Sequence, residues 1–427
     1  RWTATGVAAD YLRANDGSYR GVVITYTLHD GTGGGLAANY SLADGAASGV
    51  ITPLALTIGA PTIASKPYDG TATAGAVTVG AITGEVAGET VTATAVAAAY
   101  ASANAGTYPG VVITYTLQDG TGGGLAANYS LADGAASGVI TPLALTIGAP
   151  TIASKPYDGT ATAGAVTVGL ITGEVGGETV TATAVAADYA SANVGTYPDV
   201  EITYTLEDGT GGGLAANYSL ADGAATGVIT LHGLTITPPA IASRPYDGTK
   251  TAGAVIVGTL SGFAGSETVT VTAVAADYPS ANAGTYPGVL ITYTLHDGTG
   301  GGLAANYSLA NGTAAGVINP LALTIGAPAI ASKAYDGSKT AGAVTVGAIT
   351  GEVAGETVTA TAVAADYASA NAGTYPGVLI TYTLHDGTGG GLAANYSLDN
   401  GTAAGVINPL ALTVGAPAIA SKAYDGS

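Results

Sequence analysis

The residues of this sequence that are best suited to chemistry form a tripeptide, Tyr-Asp-Gly, in which a carboxylate stands beside a glycine. Carboxylates in glycine-containing loops are ligands that Ca²⁺ accepts. Asp69 of the tripeptide, with Asp119 and Asp133 as helpers, is therefore a candidate calcium ligand. The tripeptide recurs every 89 residues without insertion or deletion, its tyrosines being Tyr68, Tyr157, Tyr246, Tyr335 and Tyr424.

The other oxygen donors do not recur together with the tripeptide. Asp133 is replaced by Asn311 and Asn400 in later copies, and Glu85 by Phe263. The copies favour a turn, in which the Asp side chain hydrogen-bonds local backbone and Gly supplies a positive φ. We predict no cofactor, with calcium as the weaker alternative. The predicted structural turns are Tyr68-Asp69-Gly70, Tyr157-Asp158-Gly159, Tyr246-Asp247-Gly248 and Tyr335-Asp336-Gly337.

Other residues that could support catalysis lack the partners they would need. The run Gly122-Gly123-Gly124 follows a predicted strand, but it has no P-loop lysine and leads into another predicted strand. Ser130 has no base nearby in any copy. No histidine has a partner that recurs between copies. We therefore predict that the protein is not an enzyme. The histidines are His29, His232, His296 and His385.

The tripeptide Asn-Tyr-Ser is an acceptor sequence for N-glycosylation, and it also recurs once per copy. A simpler interpretation is that Asn begins a tight strand entry and that Tyr packs in the core. Both interpretations stay open at this point. The candidate glycosylation sites are Asn39, Asn128, Asn217, Asn306 and Asn395.

The composition excludes several classes of partner. The 427 residues carry a net charge of −19 with only 10 Lys and Arg, so no basic patch exists to neutralise phosphates of nucleic acid or anionic lipid. There is no Cys, which excludes disulfides and thiolate metal sites. No apolar stretch approaches the length of about 18 residues that a membrane span needs. We predict no nucleic-acid partner and no membrane span.

The 89-residue period predicts an array of small domains joined directly to each other. A short Gly-Ala-Pro linker such as Gly148-Ala149-Pro150 leaves neighbouring modules little freedom to move relative to each other, so we expect a stiff, extended rod. The sequence begins and ends inside the repeat. The predicted boundaries are 1–58 (partial module), 59–147, 148–236, 237–325, 326–414 and 415–427 (start of a further module).

Within residues 59–147, turn signals separate short runs with the alternation of β-strands. In Val111–Gln118 the positions of Val111, Ile113, Tyr115 and Leu117 do not change between copies, whereas Val112 becomes Glu201 or Leu290. This predicts one buried and one exposed face. Further strands are predicted at 76–82, 90–96, 125–131, 138–141 and 143–147.

The predicted fold class is all-β, a tandem array of immunoglobulin-like β-sandwich modules of 89 residues. The alternative is a β-grasp-like module, which needs a crossover helix. Only the Ala-rich stretch 97–104 could supply that helix. Because the stretch is short and ends in Asn104-Ala105-Gly106, the sandwich is favoured.

The motifs together resemble the YDG-type repeat domains of large secreted bacterial adhesins, including filamentous-haemagglutinin-like proteins. The resemblance covers essentially the whole chain and implies an extracellular, mainly β stalk without catalytic residues. The triple glycine and the close likeness of the copies depart from the family pattern. The matching elements are Lys66-Pro67-Tyr68-Asp69-Gly70-Thr71, Asn104-Ala105-Gly106-Thr107-Tyr108, Ala127-Asn128-Tyr129-Ser130-Leu131 and Gly138-Val139-Ile140-Thr141-Pro142-Leu143-Ala144-Leu145-Thr146.

From the repeat and this resemblance we expect a non-enzymatic stalk or fibre segment of an adhesin, outside the cell or on the bacterial surface. The expected partners are further copies of the chain, assembled into fibres, or host and matrix surfaces. The alternative is a multivalent array that binds carbohydrate or ice. Threonine pairs such as Thr92 and Thr94 beside Thr114 and Thr116 support this second interpretation.

Overall fold

The structure, a computed structural model, describes residues 1–425. These residues form β-strands and single-turn 3₁₀ segments, and no α-helix occurs among them. No helix in this part of the chain is long and apolar enough to cross a membrane. The all-β prediction is confirmed, and the crossover helix that the β-grasp alternative requires is absent from residues 1–425.

Each repeat is built on one curled sheet, a half-barrel. In the first full repeat its strands lie in the order Val91–Ala97, Gly106–Asp119, Gly134–Thr141, Lys66–Pro67. The first three strands pair antiparallel, whereas Lys66–Pro67 pairs parallel with the end of Gly134–Thr141. The arrangement of two facing sheets that defines an immunoglobulin-like sandwich stays a prediction.

The same strands recur in the other repeats. The partial first repeat has Thr3–Ala8, Gly17–His29 and Gly45–Ile51. The sheets of the later repeats consist of Val180–Ala186, Gly195–Asp208, Gly223–Thr230 and Lys155–Pro156; Val269–Ala275, Gly284–Asp297, Gly312–Asn319 and Arg244–Pro245; and Val358–Ala364, Gly373–Asp386, Gly401–Asn408 and Lys333–Ala334.

Short strands complete each repeat. In the first full repeat they are Leu54–Ala55, Thr57–Ile58, Thr62–Ile63, Val77–Thr78, Ile82–Thr83 and Tyr129–Ser130. The later ones are Leu143–Ala144, Thr146–Ile147, Thr151–Ile152, Val166–Thr167, Ile171–Thr172 and Tyr218–Ser219; His232–Gly233, Thr235–Ile236, Ala240–Ile241, Val255–Ile256, Leu260–Ser261 and Tyr307–Ser308; and Leu321–Ile325, Ala329–Ile330, Val344–Thr345, Ile349–Thr350 and Tyr396–Leu398.

The long strand Gly106–Asp119 has the two faces that the sequence predicts. Val111 and Ile113 are buried, and Ile113 is fully inaccessible, whereas Val112, Thr114 and Thr116 are exposed. The pairing with Gly134–Thr141 shifts register between Tyr108 and Val111, where Pro109-Gly110 forms a bulge. A bulge of this kind bends the strand, which agrees with the curl of the sheet.

The core is made of aliphatic and tyrosine side chains. Ile113, Ile140 and Tyr100 belong to one buried cluster. Tyr100 stacks on Tyr108 with ring centroids 4.8 Å apart, and it lies over Gly138. A Cβ atom at residue 138 would lie 2.2 Å from Cε1 of Tyr100, so only glycine fits there.

Several predicted strands differ from the structure. The strand predicted at 143–147 is two short strands, Leu143–Ala144 and Thr146–Ile147, and the one predicted at 138–141 begins earlier, as Gly134–Thr141. Residues 125–131 contain a 3₁₀ turn, Ala126–Asn128, and only Tyr129–Ser130 is extended. Asp119 Oδ1 accepts a hydrogen bond of 2.8 Å from the backbone N–H of Ala126, which holds this turn against the end of the long strand. Residues 76–82 contain two short strands, Val77–Thr78 and Ile82–Thr83, where one was predicted.

The strand pairing groups residues 143–147 with the repeat that follows them. Leu143–Ala144 pairs parallel with Tyr218–Ser219, and Thr146–Ile147 pairs antiparallel with Ile171–Thr172. The predicted boundary at 147/148 therefore runs through a set of strands that pack together. Of the predicted last module, 415–427, residues 426 and 427 lie outside the described part, and residues 415–425 contain no strand.

The chain divides into two compact units. The first contains residues 1–154, 162–190 and 196–228, and the second contains 155–161, 191–195 and the residues from 229 onward. The segment 155–161 carries the Tyr-Asp-Gly turn of its repeat, yet it packs with the unit that contains the next repeat. Lys155 and Pro156 of this segment pair with Ile229 and Thr230, which belong to the same unit.

Candidate functional site: the joint between repeats

The Tyr-Asp-Gly segment forms a tight turn. Asp69 Oδ1 accepts hydrogen bonds from the backbone N–H of Thr71 (2.9 Å) and from Lys66 Nζ (2.7 Å). Gly70 has a φ of 77°, a conformation that residues with a Cβ atom rarely adopt. The same Lys-Asp or Arg-Asp ion pair closes the turn in the other repeats, at Lys155–Asp158, Arg244–Asp247 and Lys333–Asp336.

The ion pair sets the acidity of the aspartate. The hydrogen bond from Lys66, followed by those from Thr71, lowers the pKa of Asp69 to about 2. The same partners in the last full repeat, Lys333 and Ser338, lower the pKa of Asp336 to about 2. These carboxylates are ionised at any physiological pH, and their charge is used to hold the turn.

The tyrosine of the turn points away from the aspartate and into the next repeat. Tyr68 is only 4 % exposed, and its hydroxyl donates a hydrogen bond of 2.6 Å to Glu178 Oε1, 110 residues further along the chain. Tyr218 donates to the other oxygen of the same carboxylate, Oε2, also at 2.6 Å. One glutamate thus joins tyrosines from two repeats. The two tyrosine rings meet edge to face at 5.4 Å.

Asparagine side chains form a second contact between the same two repeats. We call these two contacts together, Tyr68 and Tyr218 with Glu178 and Asn217 with Asn104 and Ala105, the joint. Asn217 is 1 % exposed, and its Oδ1 accepts a hydrogen bond of 2.8 Å from the backbone N–H of Ala105 in the preceding repeat. Its Nδ2 donates to Asn104 Oδ1 at 3.1 Å. The amide is therefore satisfied on both sides by the loop Asn104-Ala105-Gly106 of the neighbour.

The joint recurs with the same atoms in the second unit. Tyr157 donates to Glu267 and Tyr246 donates to Glu356, each at 2.6 Å. Each glutamate also accepts from the tyrosine of its own repeat, Tyr307 or Tyr396. The asparagine contacts recur as Val194 N–H to Asn306 and Ala283 N–H to Asn395.

The tyrosine of the last full repeat provides a comparison. Tyr335 is 40 % exposed, whereas Tyr68, Tyr157 and Tyr246 are 3–4 % exposed. The position 110 residues after Tyr335 lies outside the residues that the structure describes. The three buried tyrosines are those whose partner glutamate lies among residues 1–425.

Burial in the joint changes the acidity of these tyrosines. Desolvation, reinforced by the hydrogen bond to Glu178, raises the pKa of Tyr68 to about 12. Burial and the corresponding glutamates raise the pKa of Tyr157 and of Tyr246 to about 12. The tyrosine hydroxyls therefore remain protonated hydrogen-bond donors throughout the physiological pH range.

The candidate calcium ligands do not come together. Asp69 is engaged in its turn, and Asp119 accepts from the backbone N–H of Ala126. Asp133 is exposed and does not join either of them. Among residues 1–425, no group of three or more histidine or acidic side chains is arranged to hold a metal ion.

The candidate glycosylation sites have different environments. Asn39 is exposed and Asn128 is half-buried, whereas Asn217, Asn306 and Asn395 are each 1 % exposed. A glycan would be attached to Nδ2, the atom with which Asn217 donates to Asn104. In the folded array, that modification would have to replace a contact of the joint.

Sequence reasoning did not identify the glutamates of the joint. Glu89, Glu178, Glu267 and Glu356 are the same residue in every full repeat, whereas the nearby Glu85 becomes Phe263. The sequence does contain one indication of their importance, because these glutamates are constant between copies whereas the nearby Glu85 varies. The partner tyrosines of the preceding repeat could not be found from sequence, because they lie 110 residues away.

These elements define a tandem-repeat, all-β protein whose most elaborate polar site lies between repeats. The family model of the YDG domain matches residues 52–136, 141–226, 230–315 and 319–404. The chain therefore belongs to the YDG domain family. No curated protein matches it.

Proposed function

We propose that this protein is a non-enzymatic structural segment, a stalk or fibre element whose function is to hold YDG repeats at fixed positions relative to their neighbours. The observation that carries the proposal is the joint. Glu178, Glu267 and Glu356 each bind one tyrosine of the preceding repeat and one of their own. The buried asparagines Asn217, Asn306 and Asn395 also accept hydrogen bonds from the preceding repeat.

The chemistry of the joint suits a mechanical role. Buried polar networks strengthen a specific arrangement when every member is satisfied, because any other arrangement leaves a buried group unpaired. In the joint of Tyr68, both oxygens of Glu178 and both ends of the Asn217 amide have partners. A repeat that tilted away from its neighbour would lose all of these contacts at once.

Because the polar atoms of the joint already have hydrogen-bond partners, the joint is poorly suited to catalysis. A nucleophile or general base needs a free lone pair and a substrate within reach. The glutamate oxygens of the joint are occupied by tyrosine hydroxyls, and those tyrosines are buried. We therefore propose that the joint is not an active site.

We further propose that the stalk is extracellular and belongs to an adhesin that contacts other copies, host surfaces or matrix. The resemblance of the motifs to YDG repeats of secreted adhesins supports this role. The absence of cysteine from all 427 residues is consistent with it.

A second candidate function rests on one surface. Thr92, Thr94, Thr114 and Thr116 are exposed on the same face of the sheet, and the pattern recurs in each repeat. A repeated surface of hydroxyl and methyl groups could bind carbohydrate or ice through many weak contacts. Tight binding of a glycan by one excised repeat would favour this function over the mechanical one.

The mechanical proposal is tested by the distribution of end-to-end distances of single chains, measured by electron microscopy and by X-ray scattering at low concentration. The variant Tyr68→Phe, Tyr157→Phe and Tyr246→Phe removes three joint hydroxyls and keeps the rings. We expect a broader distribution for this variant and no change for the control Tyr335→Phe. A native chain that already bends freely between repeats would refute the proposal.

A further inference from the structure

One strand in each repeat has an open edge. This strand stands first in the strand order given above for the curled sheet, and its outer side pairs with no other strand among residues 1–425. We call these five strands the edge strands: Thr3–Ala8, Val91–Ala97, Val180–Ala186, Val269–Ala275 and Val358–Ala364.

The inner and outer sides of an edge strand differ in hydrogen bonding. Ala98 N–H donates to Val112 O, and the register pairs Thr94 with Thr116. Because bonded pairs alternate along an antiparallel ladder, the backbone groups of Thr94 point to the long strand, and those of Ala93 and Ala95 point outward. Within residues 1–425 no backbone hydrogen bond engages the outward groups of Ala93 or Ala95.

The neighbouring short strand does not close this edge. The strand Val77–Thr78 lies close to the edge strand, and its Val77 packs on the same buried cluster as Ala95 and Ala97. Val77–Thr78 pairs with Thr62–Ile63 and not with the edge strand. The outward backbone N–H and C=O groups of the edge strand therefore remain able to pair with another strand.

Edge strands of soluble proteins are usually protected by lysine, proline or a bulge. None of these devices is present. The sequence Val-Thr-Ala-Thr-Ala-Val-Ala of residues 91–97 has no charge and no proline, and its pairing with the long strand has no register shift. Val96 and its counterparts Val185, Val274 and Val363 are each 72 % exposed.

We propose that the edge strand is a self-association surface, which pairs antiparallel with the same strand of a second copy of this chain. The proposal rests on the stalk or fibre function proposed above and states how its lateral contacts form. Thr94 is the central residue of Val91–Ala97. A symmetric pair centred on it joins Ala93 of one copy to Ala95 of the other, which are the residues whose donors and acceptors point outward.

The binding partner of the edge strand is a second copy of this chain, because the edge strand is complementary to itself. Outward N–H and C=O groups alternate along the strand, so one strand in antiparallel orientation satisfies its twin, as in any two-fold interface. The chain carries a net charge of −19, but the edge strands contain no charged residue, so two of them can pair without charge repulsion between the strands. Identical strands at a constant 89-residue period allow several weak pairs to form together, which raises the total affinity.

The test compares two variants of the full chain with the same number of added lysines on the same exposed face. The edge variant carries Thr5→Lys, Thr94→Lys, Thr183→Lys, Thr272→Lys and Thr361→Lys. The control variant places lysine at the directly paired residues of the long strand: Thr27→Lys, Thr116→Lys, Thr205→Lys, Thr294→Lys and Thr383→Lys. All ten threonines are exposed.

Association is measured by sedimentation over a concentration series, after circular dichroism has shown that both variants keep the native fold. We expect the native chain and the control to associate and the edge variant to bind at least about tenfold more weakly, since like charges would face each other across the new pair. Equal loss in both variants would indicate contact through the sheet face and would overturn the proposal. Equal retention would place the contact elsewhere and also overturn it.

Hydrogen exchange on the native chain tests the same idea without a substitution. With rising concentration, the amides of Ala93 and Ala95 should gain protection, while that of Thr94 is protected from the start. A native chain that stays monomeric at every concentration would refute this inference. The stalk proposal would then stand or fall separately, on the end-to-end distances of the single chains.

Discussion

Tyr68 and Glu178 are 110 residues apart in sequence, yet the tyrosine hydroxyl donates to the glutamate at 2.6 Å. The relationship gives the Tyr-Asp-Gly motif two separate functions. The aspartate and glycine shape a turn inside one repeat, and the tyrosine enters the next. A turn alone would need no tyrosine, whereas a joint needs a long side chain with a hydroxyl at its end.

The first prediction concerns the hydroxyl of this pair. Tyr68→Phe keeps the ring and removes the donor to Glu178, so we expect the free energy of unfolding to fall by about 1.5–3 kcal/mol, as for other hydrogen bonds to charged groups. Urea denaturation of the full chain measures the change. Tyr335→Phe is the matched control, because Tyr335 has the same place in its repeat but is 40 % exposed. Equal effects of the two substitutions would contradict a stabilising function of the joint.

The second prediction concerns the buried asparagines. Asn395→Ala leaves the backbone N–H of Ala283 and the side chain of Asn282 without their partner, and it should cost about 1–3 kcal/mol. Asn39→Ala should have little effect, since Asn39 has the same place in its repeat and is exposed. Thermal unfolding of both variants measures the difference. A small loss at Asn395 would mean that water replaces the amide without cost.

Much of the repeat could be predicted from the sequence. The alternation of Val111, Ile113 and Tyr115 with variable positions identified the buried face correctly, because burial on one face of a strand leaves a period of two. The strand predicted at 125–131 was wrong in its first half. There Asp119 holds Ala126 in a 3₁₀ turn, and such a local side-chain contact has no periodicity.

The joint itself could not be predicted. Its partners, Tyr68 with Glu178 and Asn104 with Asn217, are more than 100 residues apart, and no periodicity connects them. The repetition also makes it impossible to tell from the sequence which copies contact each other. Because each copy contains both the tyrosine and the glutamate, the sequence does not show whether they meet within one repeat or between two.

The third prediction follows from the pKa values in the joint. The pKa of Tyr68 is raised from 10.0 to about 12, so the folded state keeps the proton more strongly than the unfolded state. The resulting stability is fully present below pH 10 and is lost as pH rises from 10 through about 12. Tyrosinate absorbance against pH should therefore show a late-titrating group of tyrosines. The triple variant Tyr68→Phe, Tyr157→Phe and Tyr246→Phe should lack part of that group, and an unchanged titration would contradict the buried joint.

The fourth prediction concerns acid. The pKa of Asp69 is lowered from 3.8 to about 2, mainly by Lys66, so the folded state releases this proton more readily than the unfolded state. Its contribution to stability is present above pH 3.8 and is lost as pH falls through about 2. Asp69→Asn should flatten the stability profile in this window. The effect should be modest because the Asp69 side chain is 51 % exposed and solvent weakens the ion pair.

The last prediction tests the packing on which each repeat depends. In Gly138→Ala the new Cβ atom would lie 2.2 Å from Cε1 of Tyr100, and Tyr100 cannot retreat easily because it stacks on Tyr108. We expect a loss of about 1–3 kcal/mol, the usual cost of overpacking a core. Gly176→Ala is the control, since nothing lies within 4 Å of its Cβ position and the first full repeat has Ala87 at the equivalent place. Urea denaturation should separate the two variants clearly. If Gly138→Ala were as stable as the control, the tyrosine stack would have to be mobile enough to give way, and the curled sheet would not hold the joint tyrosines in fixed positions.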